Sequence, residues 1–198
     1  MSERKLSTRK LIMVALLGAV AAVLMSLEIS IPFIPGFIKM DLSEVPIILG
    51  GLSMGFSYGL LVCLIKVILK VLISGTNTMF LGELVNIIIS LLYLIPFCLL
   101  LKKHKENRNL IVSLIIATVM CSIMTAFANL ILTFPMYAKL YGLDMPTLIA
   151  MFSAVNPLVK NTFTMVIFSI VPFNLIKYGI NSFCAYLIYQ RIPQLKEL

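Results

Sequence analysis

The chain has 198 residues, 61% apolar and 12% charged, with a mean hydropathy of +1.07 and a net charge of +8. That balance excludes a soluble globular domain, a disordered chain and a disulfide-rich secreted module. It fits an all-α membrane protein, because about 120 apolar positions supply six crossings of roughly 20 residues each. Continuous apolar runs such as 11–27 and 84–101 lack the alternation expected of a transmembrane barrel.

Arg4, Lys5, Arg9 and Lys10 precede the first predicted helix, residues 10–28, and place its start in the cytoplasm. No cleavage pattern with a polar continuation follows, so the run reads as a retained helix and not a signal peptide. Residues 30–43 contain Pro32, Pro35, Gly36, Lys39 and Asp41 and read as an outer loop. The loop is also rich in large apolar residues (Ile31, Phe33, Ile34, Phe37, Ile38, Met40) and should bury itself against something.

Ser43 reads as the N-cap, and Glu44 as the dipole-matched first-turn acid, of a short second helix over 44–54. Gly50, Gly51, Gly55 and Gly59 predict a tight turn and close contact with a third helix, 56–73. A short outer loop leads to a fourth helix, 80–101. The basic loop 102–108 lies inside and holds His104, the chain's one histidine, as a solvated side chain. A fifth helix, 110–134, leads to an outer loop, 135–146. Residues 147–170 read as a broken helical segment near the outer face, since Pro157 and Pro172 invite breaks. A sixth helix covers 171–191.

The charges test this topology. Arg4, Lys5, Arg9, Lys10, Lys102, Lys103, Lys105, Arg108, Arg191 and Lys196 fall inside, ten of the 16 basic residues. Both ends are basic, so the number of crossings is even. The expectation is one integral membrane domain of six helices over 1–198, with both termini cytoplasmic.

Enzyme chemistry finds no support. There is no H-E-x-x-H zinc motif, no G-x-S-x-G elbow and no G-x-x-x-x-G-K-[ST] phosphate loop. Cys63, Cys98, Cys121 and Cys184 sit in apolar runs without metal-ligand spacing and read as small apolar fillers. The net positive charge marks cytoplasmic loops and not a nucleic-acid surface. Active transport by this chain would draw on an ion gradient or a partner.

The informative residues are the polar ones in apolar surroundings, which usually face a cavity or a partner. They are Lys66 and Lys70, Glu83 and Asn86, Asn129, and Asn174 and Lys177. All but Lys66 fall in the half assigned as outer, which suggests an outward-opening polar pocket that the loop 33–40 could close. In the bland alternative, Lys70 pairs with Glu83, the asparagines bond between helices and Lys66 is structural. Amides offer both donors and acceptors and suit a flat heterocycle, which Phe33, Phe37, Tyr93 and Tyr137 could stack against. On the first helix, Ala15/Ala19 and Gly18/Ala22 form small-x-x-x-small pairs that allow close helix approach, within the bundle or by a partner.

Five segments occur in a familiar order: Lys39-Met40-Asp41-Leu42-Ser43-Glu44-Val45-Pro46, the glycine-rich turn, Leu64-Ile65-Lys66, Gly82-Glu83-Leu84-Val85-Asn86, and Val171-Pro172-Phe173-Asn174-Leu175-Ile176-Lys177. Over essentially the whole chain this pattern resembles the riboflavin-specific substrate-binding (S) components of energy-coupling-factor (ECF) vitamin transporters. Residues 156–161 match no part of it. The resemblance implies a six-helix bundle in a bacterial cell membrane, with an outward-facing vitamin site covered by the loop after the first helix. It implies a transmembrane coupling protein and two cytoplasmic ATPases as partners, docked at Ala15, Gly18, Ala19 and Ala22. It also implies that Asn174 and Lys177 contact the flavin ring or ribityl chain and that Asn129 adds a polar contact. With these, Met40, Asp41, Glu83 and Asn86 complete the expected site. Riboflavin would be cargo and not a cofactor, with FMN as a further candidate ligand. An S component for thiamine or a folate-like ring, a gradient-driven carrier and a structural membrane subunit are the alternatives.

Overall fold

The computed structural model describes residues 8–36, 38–76, 79–101 and 107–198. Of the sequence expectations, those on Arg4, Lys5, Phe37, Lys102, Lys103, His104 and Lys105, and on the side chains of Arg108 and Tyr137, lie outside what is described.

Among the described residues, five helical stretches are long and apolar enough to cross a membrane: Thr8–Ser26, Phe56–Ser74, Leu81–Leu101, Leu110–Leu140 and Thr162–Arg191. In chain order, α1 is Thr8–Ser26, α2 Glu44–Met54, α3 Phe56–Ser74, α4 Leu81–Leu101 and α5 Asn107–Ala128. α6 is Phe134–Tyr141, α7 Met145–Val155, α8 Thr162–Met165 and α9 Val171–Arg191. The expected second crossing is not full length. α2 has 11 residues, about 16 Å of rise against a hydrocarbon core of roughly 30 Å. It is a core helix, buried at every position from Glu44 to Leu52.

Glycines permit that burial. A Cβ on Gly59 would lie 3.0 Å from the backbone nitrogen of Gly51, so α2 and α3 touch backbone to backbone. Gly55, at φ +98°, makes the reversal between them. On α1, Gly18 makes room for a side chain of α3: a Cβ there would lie 2.4 Å from Cγ2 of Ile65.

The start of α1 and the residues after α9 lie at one end of the bundle. Arg9 is 3.9 Å from Glu197, and the Lys10 ammonium lies 5.5 Å above the Tyr58 ring. The opposite end is closed by the segment after α1 and by α6–α8. That segment is a loop with a minimal antiparallel hairpin: β1 (Ile29–Ser30) pairs with β2 (Lys39–Met40), Ile29 opposite Met40. Its apolar residues bury in part: Ile34 is buried, Ile31, Ile38 and Met40 are half-buried, and Phe33 is exposed. Ile34 belongs to a hydrophobic cluster with Ala126, Phe134, Leu148, Phe152, Met165, Ile170 and Phe173, and Ile31, Ile38 and Met40 pack against it. The main core, built around α2, Tyr93, Leu94, Phe97 and Tyr178, is a separate cluster.

Two sequence-drawn boundaries are corrected. The helix expected to end at 134 runs on to Tyr141 through a π-turn at Asn129–Thr133, so most of the predicted loop 135–146 is helical. The sixth helix starts at Thr162 and not at 171, through a second π-turn at Val166–Ile170. Pro135 and Pro172 stand at the same offset, two residues beyond each π-turn. Proline lacks an N–H and crowds the carbonyl four residues back. The wider turn absorbs the misfit without ending the helix.

Candidate functional site

At the end of the bundle remote from the start of α1, two cavities share part of their lining. The larger, about 370 Å³, is lined by Met25 and Ser26 at the end of α1, Glu28 after it, Lys39 and Asp41, Lys70 and Ser74 of α3, Gly82, Glu83 and Asn86 of α4, and Lys177. The smaller, about 180 Å³, is lined by Ile38, Lys39, Ile89, Thr125, Asn129, Thr133, Phe134, Phe173, Asn174, Lys177 and Tyr178. Lys39 and Lys177 line both. Six of the seven expected ligand residues therefore converge: Asp41, Glu83, Asn86, Asn129, Asn174 and Lys177. Met40 does not. It lines a mostly apolar crevice with Leu24, Leu27, Ile29, Leu42 and Ile180, which Asp41 also borders; adjacent strand positions face opposite ways, so Met40 and Lys39 do not share a cavity.

The charges form a buried chain. Lys177 Nζ donates to Asp41 Oδ2 at 2.9 Å. Asp41 Oδ1 accepts the Ser43 N–H at 2.8 Å and also the Ser43 hydroxyl. The Ser43 oxygen accepts from Lys66 Nζ at 3.3 Å, Lys66 pairs with Glu44 at 3.0 Å, and the Ser90 hydroxyl donates to the same Glu44 oxygen at 2.7 Å. Ser43 is therefore not the expected side-chain cap. Its hydroxyl makes no capping bond to α2 and is spent on the ionic chain. Lys66, wholly buried, is structural. Burial alone would raise the Asp41 pKa, but the positive charges of Lys177 and Lys66 and the hydrogen bonds from Ser43 and Lys177 outweigh it and hold the carboxyl at about 2.

Lys70 donates to Glu83 at 2.7 Å, the pairing foreseen as the bland alternative, and Thr76 bonds the other Glu83 oxygen at 3.0 Å. That pair walls the larger cavity. Lys39 pairs with Glu28 at 2.9 Å, and the hydrogen bond and charge of Glu28 raise its pKa. Asn174 Nδ2 bonds the Ile170 carbonyl at 2.9 Å, one turn back. Asn86 Oδ1 and Thr133 Oγ1, one in each cavity, are buried without a hydrogen-bond partner among the described residues. Leaving such an atom unmatched costs about 1–3 kcal/mol.

Tyr93 cannot stack on a ligand, contrary to expectation. It is fully buried in the main core, its hydroxyl 2.6 Å from Ser182. The sequence reading missed Lys39, Phe173, Tyr178 and Asn181. Asn181 donates to the backbone carbonyls of Asp41 at 3.1 Å and Lys177 at 2.8 Å. Its spacing, seven after Asn174 and four after Lys177, places it on their face of the helix and was a usable signal. The small-residue stripe divides: Gly18 and Ala22 are buried, whereas Ala15 and Ala19 are exposed on the surface of α1.

The family model for the substrate-specific component of ECF transporters matches residues 9–189. The "Riboflavin transporter FmnP" of Bacillus subtilis is 33% identical over 173 residues, 87% of this chain and 85% of that protein. The "Riboflavin transporter RibU" of Staphylococcus aureus is 28% identical over 96% of this chain and 95% of its own. A solved structure of the S component of a bacterial ECF transporter superposes with a TM-score of 0.73 at 26% identity, over 96% of this chain and 98% of that one. These relatives are transporters and not enzymes. The chain, a multi-pass helical membrane protein, belongs to the family of substrate-specific components of ECF transporters.

Proposed function

We propose that this protein captures riboflavin at the extracellular face and delivers it to an energy-coupling module, a transmembrane coupling protein with two cytoplasmic ATPases. The supporting observation is the convergence of Asn86, Asn129, Asn174 and Lys177 on two cavities that share Lys39 and Lys177, in a chain whose relatives are named riboflavin transporters. The cavities differ in a way that suits a two-part ligand. The smaller offers Ile38, Phe134 and Phe173 beside the amides of Asn129 and Asn174, a match for a flat ring with nitrogens and carbonyls. The larger offers Ser26, Glu28, Asp41, Glu83 and Asn86, a match for a chain of hydroxyls.

In this reading the bundle makes six passes, with α2 and the segment leading into it serving as the second, and both termini face the cytoplasm. The exposed Ala15 and Ala19 face the coupling protein. FMN is a second ligand for the same site. The protein performs no chemistry on its cargo. Mass spectrometry of small molecules extracted from the detergent-purified protein tests the assignment: riboflavin or FMN should be released in near-equimolar amount. Release of a different vitamin, with no flavin and no uptake of added flavin, would overturn it.

A further inference from the structure

Asn156, which follows α7, bonds the backbone of the helix that carries Asn174 and Lys177. Pro172 deprives the Phe168 carbonyl of the N–H that an α-helix would direct at it. Asn156, at the end of α7, supplies the replacement: its Nδ2 donates to Phe168 O at 2.9 Å and to Ser169 Oγ at 3.1 Å. Its Oδ1 accepts from Leu158 N at 3.1 Å, so both ends of the amide are engaged. Ser169 is buried, and the next turn carries Phe173, Asn174 and Lys177 into the cavities. The π-turn before Pro172 sets the rotation of those three side chains relative to the outer part of the helix.

We propose that Asn156 is a positioning residue for ligand binding: by replacing the hydrogen bond that Pro172 forbids, it fixes the Val166–Ile170 π-turn and with it the aim of Asn174 and Lys177. This rests on the proposed flavin site, although Asn156 itself lines neither cavity.

The test is a double-mutant cycle. Asn156→Ala should weaken flavin affinity by about five-fold or more, the expectation for an unmatched backbone carbonyl, and should alter the visible circular dichroism of the bound flavin, which reports ring orientation. Asn156→Asp, the same size but without the donor, should do the same. Pro172→Ala restores an N–H for Phe168 O, so in that background Asn156→Ala should cost clearly less. Hydrogen exchange of the ligand-free protein supplies a readout that needs no flavin: Asn156→Ala should speed exchange across 166–177 and leave 81–101 unchanged. Should the parent bind no flavin, the functional reading fails, and the exchange pattern with its Pro172→Ala rescue still decides whether Asn156 holds the turn. Should the parent bind flavin and Asn156→Ala bind it equally, or lose equally in both backgrounds, the positioning claim is wrong.

Discussion

Lys177 on α9 and Asp41, three residues ahead of α2, meet at 2.9 Å although 136 residues separate them in sequence. The contact ties the segment between α1 and α2 to the helix that carries Asn174 and Lys177. Asn181 reinforces it by holding the backbone carbonyls of both residues. Lys177 lines both cavities, and Asp41 lines the larger. Structure and binding therefore act on the same two side chains.

Removing one partner should be worse than removing both. Lys177→Met leaves the Asp41 carboxylate buried and unpaired, a change that typically costs about 3–5 kcal/mol. Asp41→Asn combined with Lys177→Met should recover much of that stability but not flavin affinity. Thermal unfolding and flavin titration of the two variants separate these effects. Equal melting temperatures for the single and double variants would contradict the pairing.

Acid should loosen the same contact. The Asp41 carboxyl in the folded protein titrates at about 2, below its ordinary value of 3.8. A depressed carboxylate contributes stability that is fully present above its unfolded pKa and is lost as pH falls through its folded one. The contribution, about 2 kcal/mol, should be intact at pH 6 and shrink between about pH 4 and pH 2. Melting curves across that range should fall more steeply for the parent than for Asp41→Asn.

Much of this was readable from the residues alone, and the misses have physical causes. Asn129, Asn174 and Lys177 were legible because amides and ammonium groups in an apolar run are costly unless they meet a cavity or a partner. Pro135 and Pro172 misled because local preference reads proline as a helix end, and a π-turn leaves no mark in hydropathy. Ser43 looked like a cap because its spacing to α2 is right. Its capture by Asp41 and Lys66 depends on a residue 23 positions away. Glu44 looked like a dipole-matching acid, but its role is set by Lys66 and Ser90 across the bundle.

The small residues of α1 should divide by face. Gly18→Val must displace Ile65, since even a Cβ would meet its side chain at 2.4 Å. Overpacking of this kind costs about 1–3 kcal/mol, visible as a lower melting temperature. Ala15→Trp with Ala19→Trp lies on the exposed face and should leave melting and flavin affinity unchanged while abolishing uptake in cells that carry the coupling module. Normal uptake by that double variant would remove the docking assignment.

The amides should count individually. Asn174→Ala and Asn129→Ala should each weaken flavin binding by roughly ten-fold, in line with a hydrogen bond lost in a buried site. Each variant should still unfold cooperatively near the parent's temperature. Parent-like affinity in both would move the ring out of the smaller cavity.

The most direct test of the account is a fluorescence titration of the purified, ligand-stripped protein with riboflavin, with thiamine and folate as competitors. The account predicts saturable quenching at one flavin per chain that neither competitor displaces. No quenching by flavin, or full displacement by thiamine or folate, would contradict it.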